Sequence, residues 1–265
     1  MTAVRAVLGQ IRIGRLTPWA YRGSMVLSLV VLAVQVALYT VVWRAIYKGQ
    51  SAIVAGADVD TTVGYAILGL TVANVLNVWP GQSISSRVRS GLIGIDLMRP
   101  IGLLTQVLAV QAGYVVAALP GVVVGLGTGL IVGGLAPAAS AAAGAAFAGS
   151  VLLAFCVSQL ITLLMSLSSF WTLEVGGLAM MFEVVRAFLS GAVLPLWFMP
   201  VWLRTIAEVL PFQAATYTPL AIYFGRPPGG LMAALGVQIL WIVLLGGLCA
   251  WVWSRAKHRL VVQGG

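Results

Sequence analysis

The sequence predicts an all-α polytopic membrane protein: six transmembrane helices, an N-terminal interfacial helix and a re-entrant helical hairpin before the last span. Three observations carry that expectation. Of 265 residues, 61% are apolar and only 8% charged, against roughly 25% charge in soluble domains. A chain this poor in charge cannot solvate itself, whereas at mid-bilayer each charge is costly and few are tolerated. The remaining charges bound long uncharged windows, and the basic residues gather on alternate connections between those windows.

The windows place the spans in order. Gly23–Trp43 is 21 residues without a charge, Thr61–Ser86 is 26, Pro100–Leu173 is 74 and Pro227–Ser254 is 28. A spanning helix needs about 20 apolar residues. The longest window therefore holds at least two spans, with Gly133, Gly134 and Pro137 marking a turn near its middle. The predicted spans are 23–45, 61–85, 103–133, 138–167, 170–190 and 230–253. The first window exceeds the apolar length of a cleaved signal and reads as a retained span.

Arg5, Arg12, Arg15 and Arg22 precede the first span; Arg87, Arg89 and Arg99 lie between the second and third; Arg255, Lys257 and Arg259 follow the sixth. Six spans with both termini inside put all of these in the cytoplasm, as the positive-inside bias requires. The outer side receives Arg44, Lys48, Arg204 and Arg226, offset by Asp58, Asp60 and Glu208. Three spans in the long window would send the basic tail outside and lose that agreement. The net charge of +9 is thus juxtamembrane and matches anionic lipid headgroups, so nucleic acid is not an expected partner. Cys156 and Cys249 fall inside spans and read as small buried apolar residues rather than a disulfide or metal site.

Three pieces do not span. Residues 1–22 carry Val4, Val7 and Ile11 at helical spacing with Arg5 and Arg12 on another side; this is either a helix lying at the headgroup boundary or a topogenic arginine cluster. Residues 187–225 are apolar but divided by Pro195, Pro200, Pro211 and Pro219 into pieces too short to cross. They read as a re-entrant hairpin on the outer side, or as two interfacial helices lying flat, with Arg204 and Glu208 paired at i, i+4.

Residues 84–100, ISSRVRSGLIGIDLMRP, form the third piece and the chief candidate site. Gly91 and Gly94 permit turns and Pro100 ends any helix before it. Leu92, Ile93, Ile95 and Leu97 are expected to form a short apolar surface rimmed by Arg87, Arg89, Asp96 and Arg99, fit to seat in a groove on a cytoplasmic partner. The alternative is a solvated topogenic loop.

Within the spans, Asn74, Asn77, Gly81 and Ser85 share one helix face, as do Gln159, Thr162 and Ser166, and Gln35 and Tyr39. Such stripes either hydrate a pathway or hold helices together. Gly121, Gly125, Gly129 and Gly133 step by four and are expected to pack within the subunit, against the Ala-rich start of span four. Glu183 and Arg186, three apart in span five, can neutralise one another. They are a site where Glu183 recognises cationic amphiphiles, a gate that opens as subunits separate, or a structural pair at the subunit interface or outer boundary.

The chain resembles the permease subunits of type-2 ABC exporters, in particular the short six-span bacterial permeases. The resemblance spans essentially the whole chain. It is carried by the interfacial helix, the basic loop after span two and the broken hairpin before span six. Locally it lies in GLIGIDLMRPI at Gly91 to Ile101, FWTLE at Phe170 to Glu174, FLSGAVLPLWFMP at Phe188 to Pro200, LPF at Leu210 to Phe212 and TPLAIYFG at Thr218 to Gly225. It implies one half of a dimeric transmembrane domain in a bacterial cell membrane, paired with an identical or related permease and driven by separate ATP-binding cassette subunits. ATP and Mg are then expected on the partner and no cofactor on this chain. The residues agree: Lys48 and Lys257, the two lysines, follow no glycine-rich phosphate loop. A hydrophobic or amphiphilic substrate is expected, with residues 84–100 receiving the force, and Asn74, Asn77, Glu183 and Arg186 as pathway or gate. The rivals are an ion-coupled secondary transporter, which needs midplane carboxylates, a lipid-directed enzyme, which needs clustered acids and histidines, and a non-transporting scaffold.

Overall fold

The computed structural model describes residues 2–48, 53–54, 57–76, 84–90, 92–172, 176–192 and 194–260, at a few of which, Arg89 and Arg259 among them, the backbone alone. Of these residues 83% are helical. Ile53–Val54 and Ala57–Asp58 add a two-residue antiparallel pairing.

Helix α1 (Thr2–Ala20) carries Pro18 in its last turn and is followed at once by α2 (Arg22–Tyr47). Next come α3 (Val59–Leu76), the short α4 (Ile84–Arg89) and α5 (Ile93–Leu97), then α6 (Leu103–Ala118) and α7 (Pro120–Ile131). Pro120 lacks an N–H and so divides α6 from α7, but the two run on as one apolar rod, Leu103–Ile131. Gly133 at φ +67 turns the chain back. Ser140 then caps α8 (Ala141–Leu167), its Oγ accepting from the Ala143 N–H at 3.0 Å. Helices α9 (Gly176–Leu189), α10 (Val201–Val209), α11 (Pro211–Ala215), α12 (Tyr217–Tyr223) and α13 (Leu231–Leu260) complete the described order.

Five of these helices are long and apolar enough to cross a membrane: Arg22–Tyr47, Val59–Leu76, Leu103–Ile131, Ala141–Phe170 and Leu231–His258. They overlap predicted spans one, two, three, four and six, although residues 77–83 of predicted span two lie outside the described residues and 84–85 belong to α4. Predicted span five contains α9, whose 14 residues reach about 21 Å at 1.5 Å per residue, short of the hydrocarbon thickness.

Helix α3 is the central post. Two thirds of its apolar window, 67%, is enclosed by protein, against 17% for α2 and for α13. α2 contributes a single stripe to the interior, Leu32, Val36, Thr40, Trp43 and Tyr47, and turns Val30, Val34, Leu38 and Val41 outward. That outward face suits lipid, where burial between helices gains packing rather than a hydrophobic driving force.

Glycine supplies the close packing. On α7, Gly121 lies against Asn74, Gly125 against Thr71 and Gly129 against Ile67, all on α3. The glycine face packs within the chain as expected, but against span two rather than the start of span four. Its reason is shape: Ile67, Thr71 and Asn74 form the ridge at i, i+4, i+7 that fills the groove. A second seam joins α1 to α6, where Gly14 meets the Val110 backbone and Gly113 meets the Ile11 backbone so closely that a Cβ at either position would collide.

The two ends of the bundle differ. At one, Tyr65 of α3 donates its hydroxyl to the Gly191 carbonyl at 2.8 Å. Its ring meets Trp197 edge-on at 4.7 Å, within a cluster that includes Leu196, Tyr217 and Leu220. At the other, α4, α5 and the start of α6 gather the basic residues. Between them Gln238 of α13 joins three helices, accepting from Ser150 Oγ at 2.9 Å and donating to the Ala214 carbonyl at 2.8 Å.

Candidate functional site

The basic end is organised by one buried carboxylate. Asp96 is 2% exposed. The Arg87 guanidinium takes both its oxygens, Nε to Oδ2 and Nη2 to Oδ1, the latter at 2.6 Å. Arg99 approaches Oδ1 from the other side at 3.4 Å and donates to Gln106 Oε1 at 3.3 Å. Gln106 in turn donates to the Asp96 carbonyl at 2.8 Å and the Ile101 carbonyl at 2.9 Å. Four side chains thus bind α4, α5 and the first turn of α6 into one unit. A carboxylate removed from water is stable only when paired and hydrogen-bonded, and this one is both.

Beneath this network Ile84 and Ile93 plug into a cluster with Leu103, Leu163, Leu167 and Cys249. On the opposite side Leu92, Ile95 and Leu97 are 45%, 56% and 45% exposed, and Met98 87%. The segment therefore has an anchored face and a free apolar face, and two residues lie elsewhere than the sequence suggested. Ile93, expected on the free surface, is an anchor; Asp96, expected at the rim, is buried beneath the arginines. Met98 was missed, although 92, 95 and 98 step by three along one helical face. The Arg89 side chain lies outside the described residues.

Above the network, α1, α4, α5, α6 and α8 enclose a partly open cavity of about 320 Å³. Its floor holds Arg87, Asp96, Arg99 and Gln106.

A second polar cluster joins α8 and α9. The expected Glu183–Arg186 pair is present at 3.1 Å. Arg186 is 2% exposed, and it turns into α8, donating to Ser158 Oγ at 2.6 Å. Ser158 donates to the Leu76 carbonyl at 2.8 Å, tying α8 to α3. Thr162 and Ser166 bond the carbonyls of Ser158 and Thr162 in their own helix. Gln159 and, on α6, Gln111 are buried with no hydrogen-bond partner among the described residues. Asn74 is exposed at the α3–α7 seam, and Asn77 falls outside the described residues.

Long apolar helices held by a few buried polar ties, with no cluster of metal-binding side chains among the described residues, define a polytopic helical membrane protein. A family model described as ABC-2 family transporter protein matches residues 33–264, and the chain belongs to that family. Its members are membrane components of ABC transporters, non-catalytic themselves, and work with an ATP-binding subunit. No curated protein matches the chain.

Proposed function

We propose that this chain is the permease subunit of an ABC exporter in a bacterial cell membrane, with no chemistry of its own. The observation that carries the reading, given the family, is the two-faced segment 84–100. Ile84 and Ile93 fix one side in the bundle, and Leu92, Ile95 and Met98 present an uncovered apolar side. Aliphatic side chains uncovered in water mark a docking surface, and one so firmly clamped transmits displacement rather than absorbing it.

In this reading α9 belongs to the fifth span, and both termini are cytoplasmic. The segment between α9 and α13 is re-entrant: Thr218, Pro219, Leu220 and Ala221 of α12 are enclosed by protein, the condition under which broken helices enter a membrane. α10 keeps Val201, Trp202 and Val209 exposed and lies at the outer boundary, with Arg204 and Glu208 paired at 2.7 Å. α9 turns Met180, Met181, Val184 and Val185 outward. Opposite a second permease subunit, identical or related, that adaptable thioether and aliphatic face lines a route for a hydrophobic or amphiphilic compound. ATP and Mg sit on the partner. Asn74 at the α3–α7 seam and the Glu183–Arg186 pair border the route, and Arg186 acts chiefly as a tie.

Co-purification with the ATP-binding subunit tests the proposal. Leu92→Glu with Ile95→Glu releases that subunit while the permease stays folded; undiminished complex formation contradicts it. Solute movement by the permease alone favours a secondary transporter instead.

A further inference from the structure

The cavity at the basic end has a polar floor, apolar walls and unequal charge. Its volume, about 320 Å³, is room for roughly ten waters at ~30 Å³ each. Two guanidinium groups face one carboxylate, so the floor carries a net positive charge. Arg87 spends itself on both oxygens of Asp96. Arg99 does not: it is 37% exposed, and its contacts to Asp96 and Gln106 are long, at 3.4 and 3.3 Å. A guanidinium has five N–H donors, and among the described residues most of those on Arg99 have no partner. Gln10 and Thr17 of α1 add polar groups from the facing wall.

Above that floor the lining changes to Ile13, Val107 and Val110. A small inorganic anion has no use for such walls, whereas an acyl glycerol does. Ile13, itself part of that lining, and Leu16 of α1 are exposed. Basic pockets between helices at the cytoplasmic boundary are where acidic lipid headgroups bind.

We propose that the cavity between α1, α6 and the 84–100 segment binds the phosphate headgroup of an anionic lipid of the cytoplasmic leaflet. The phosphate takes the free donors of Arg99 and the amide of Gln10, and the glycerol and upper acyl carbons lie along Val107 and Val110. Such a lipid bridges α1 to the network around Asp96, so that membrane composition stiffens the segment that meets the ATP-binding subunit. The inference rests on the cytoplasmic placement of residues 84–100 proposed above.

Native mass spectrometry of the purified full chain, titrated with phosphatidylglycerol or phosphatidylcholine, tests it. The wild type is expected to retain phosphatidylglycerol on the order of tenfold more strongly, the scale of a charge-assisted pair. Arg99→Gln removes that preference, and so does Gln10→Glu, which sets a like charge on the opposite wall and serves if the first variant fails to fold. Arg204→Gln, on α10, leaves it intact. A preference that survives both cavity variants overturns the proposal. So does displacement of the lipid by millimolar inorganic phosphate, which assigns the site to a free anion. The placement fails separately: labelling of Leu92→Cys from outside sealed cells contradicts the cytoplasmic assignment and leaves the lipid titration standing.

Discussion

At one end of the bundle Tyr65, Trp197, Tyr217 and Leu220 interlock without a charge among them. At the other, Asp96 gathers Arg87, Arg99 and Gln106 beside an open cavity. The aromatic end is held by close packing, which has one good arrangement and resists deformation. The basic end is held by a buried ion-pair and hydrogen-bond network, which is stable only while each partner is in place. In the proposed reading the aromatic end keeps its shape by packing, and the basic end moves as one clamped unit whose integrity depends on Asp96.

The sharpest way to break the comparison is at Tyr65. Tyr65→Ala removes a fully enclosed ring and its bond to Gly191. It should cost about 3–5 kcal/mol, seen as a large fall in unfolding temperature in detergent, with Tyr65→Phe losing only about 1 kcal/mol. Asp96→Asn comes next. It leaves Arg87 without its counter-charge at a cost of roughly 3 kcal/mol, the low end for a buried pair because Arg87 is partly exposed. Hydrogen exchange should quicken in residues 93–98 and not around Tyr65; uniform quickening would show that the two ends are not independent. Gly125→Val sets branched carbons where Thr71 stands and should cost about 1–3 kcal/mol by overpacking the α3–α7 seam. The smallest effect belongs to Arg204→Gln, an exposed pair expected to contribute under about 1 kcal/mol and to leave the unfolding temperature almost unchanged.

The sequence resolved what depends on length and charge. Spans one to four and six came from the charge-free windows, the α7–α8 turn from Gly133 and Pro137, and the Glu183–Arg186 pair from i, i+3 spacing. It failed where a face had to be chosen. Ile93 and Ile95 are two apart in a five-residue helix, too short for periodicity to tell the anchored side from the free one. The partner of the Gly121–Gly125–Gly129 face was equally hidden, because small residues on one helix do not say which ridge fills them. The α1–α6 crossing was not read from Gly14 and Gly113, since isolated glycines carry no signal until the helices are placed together. Arg186 shows the same limit: its pairing was legible, its reach into α8 was not.

The central claim is that Leu92, Ile95 and Met98 form the surface through which a separate ATPase drives this chain. It is tested most directly by ATP hydrolysis in the permease purified with its ATP-binding subunit, comparing the wild type with the Leu92→Glu, Ile95→Glu double variant. The account predicts ATPase activity with the wild-type permease. It predicts near-complete loss of activity from the variant preparation, although the variant permease keeps its unfolding temperature to within about 0.5 kcal/mol of stability, as expected for exposed positions. Full ATPase activity retained on the variant would contradict it.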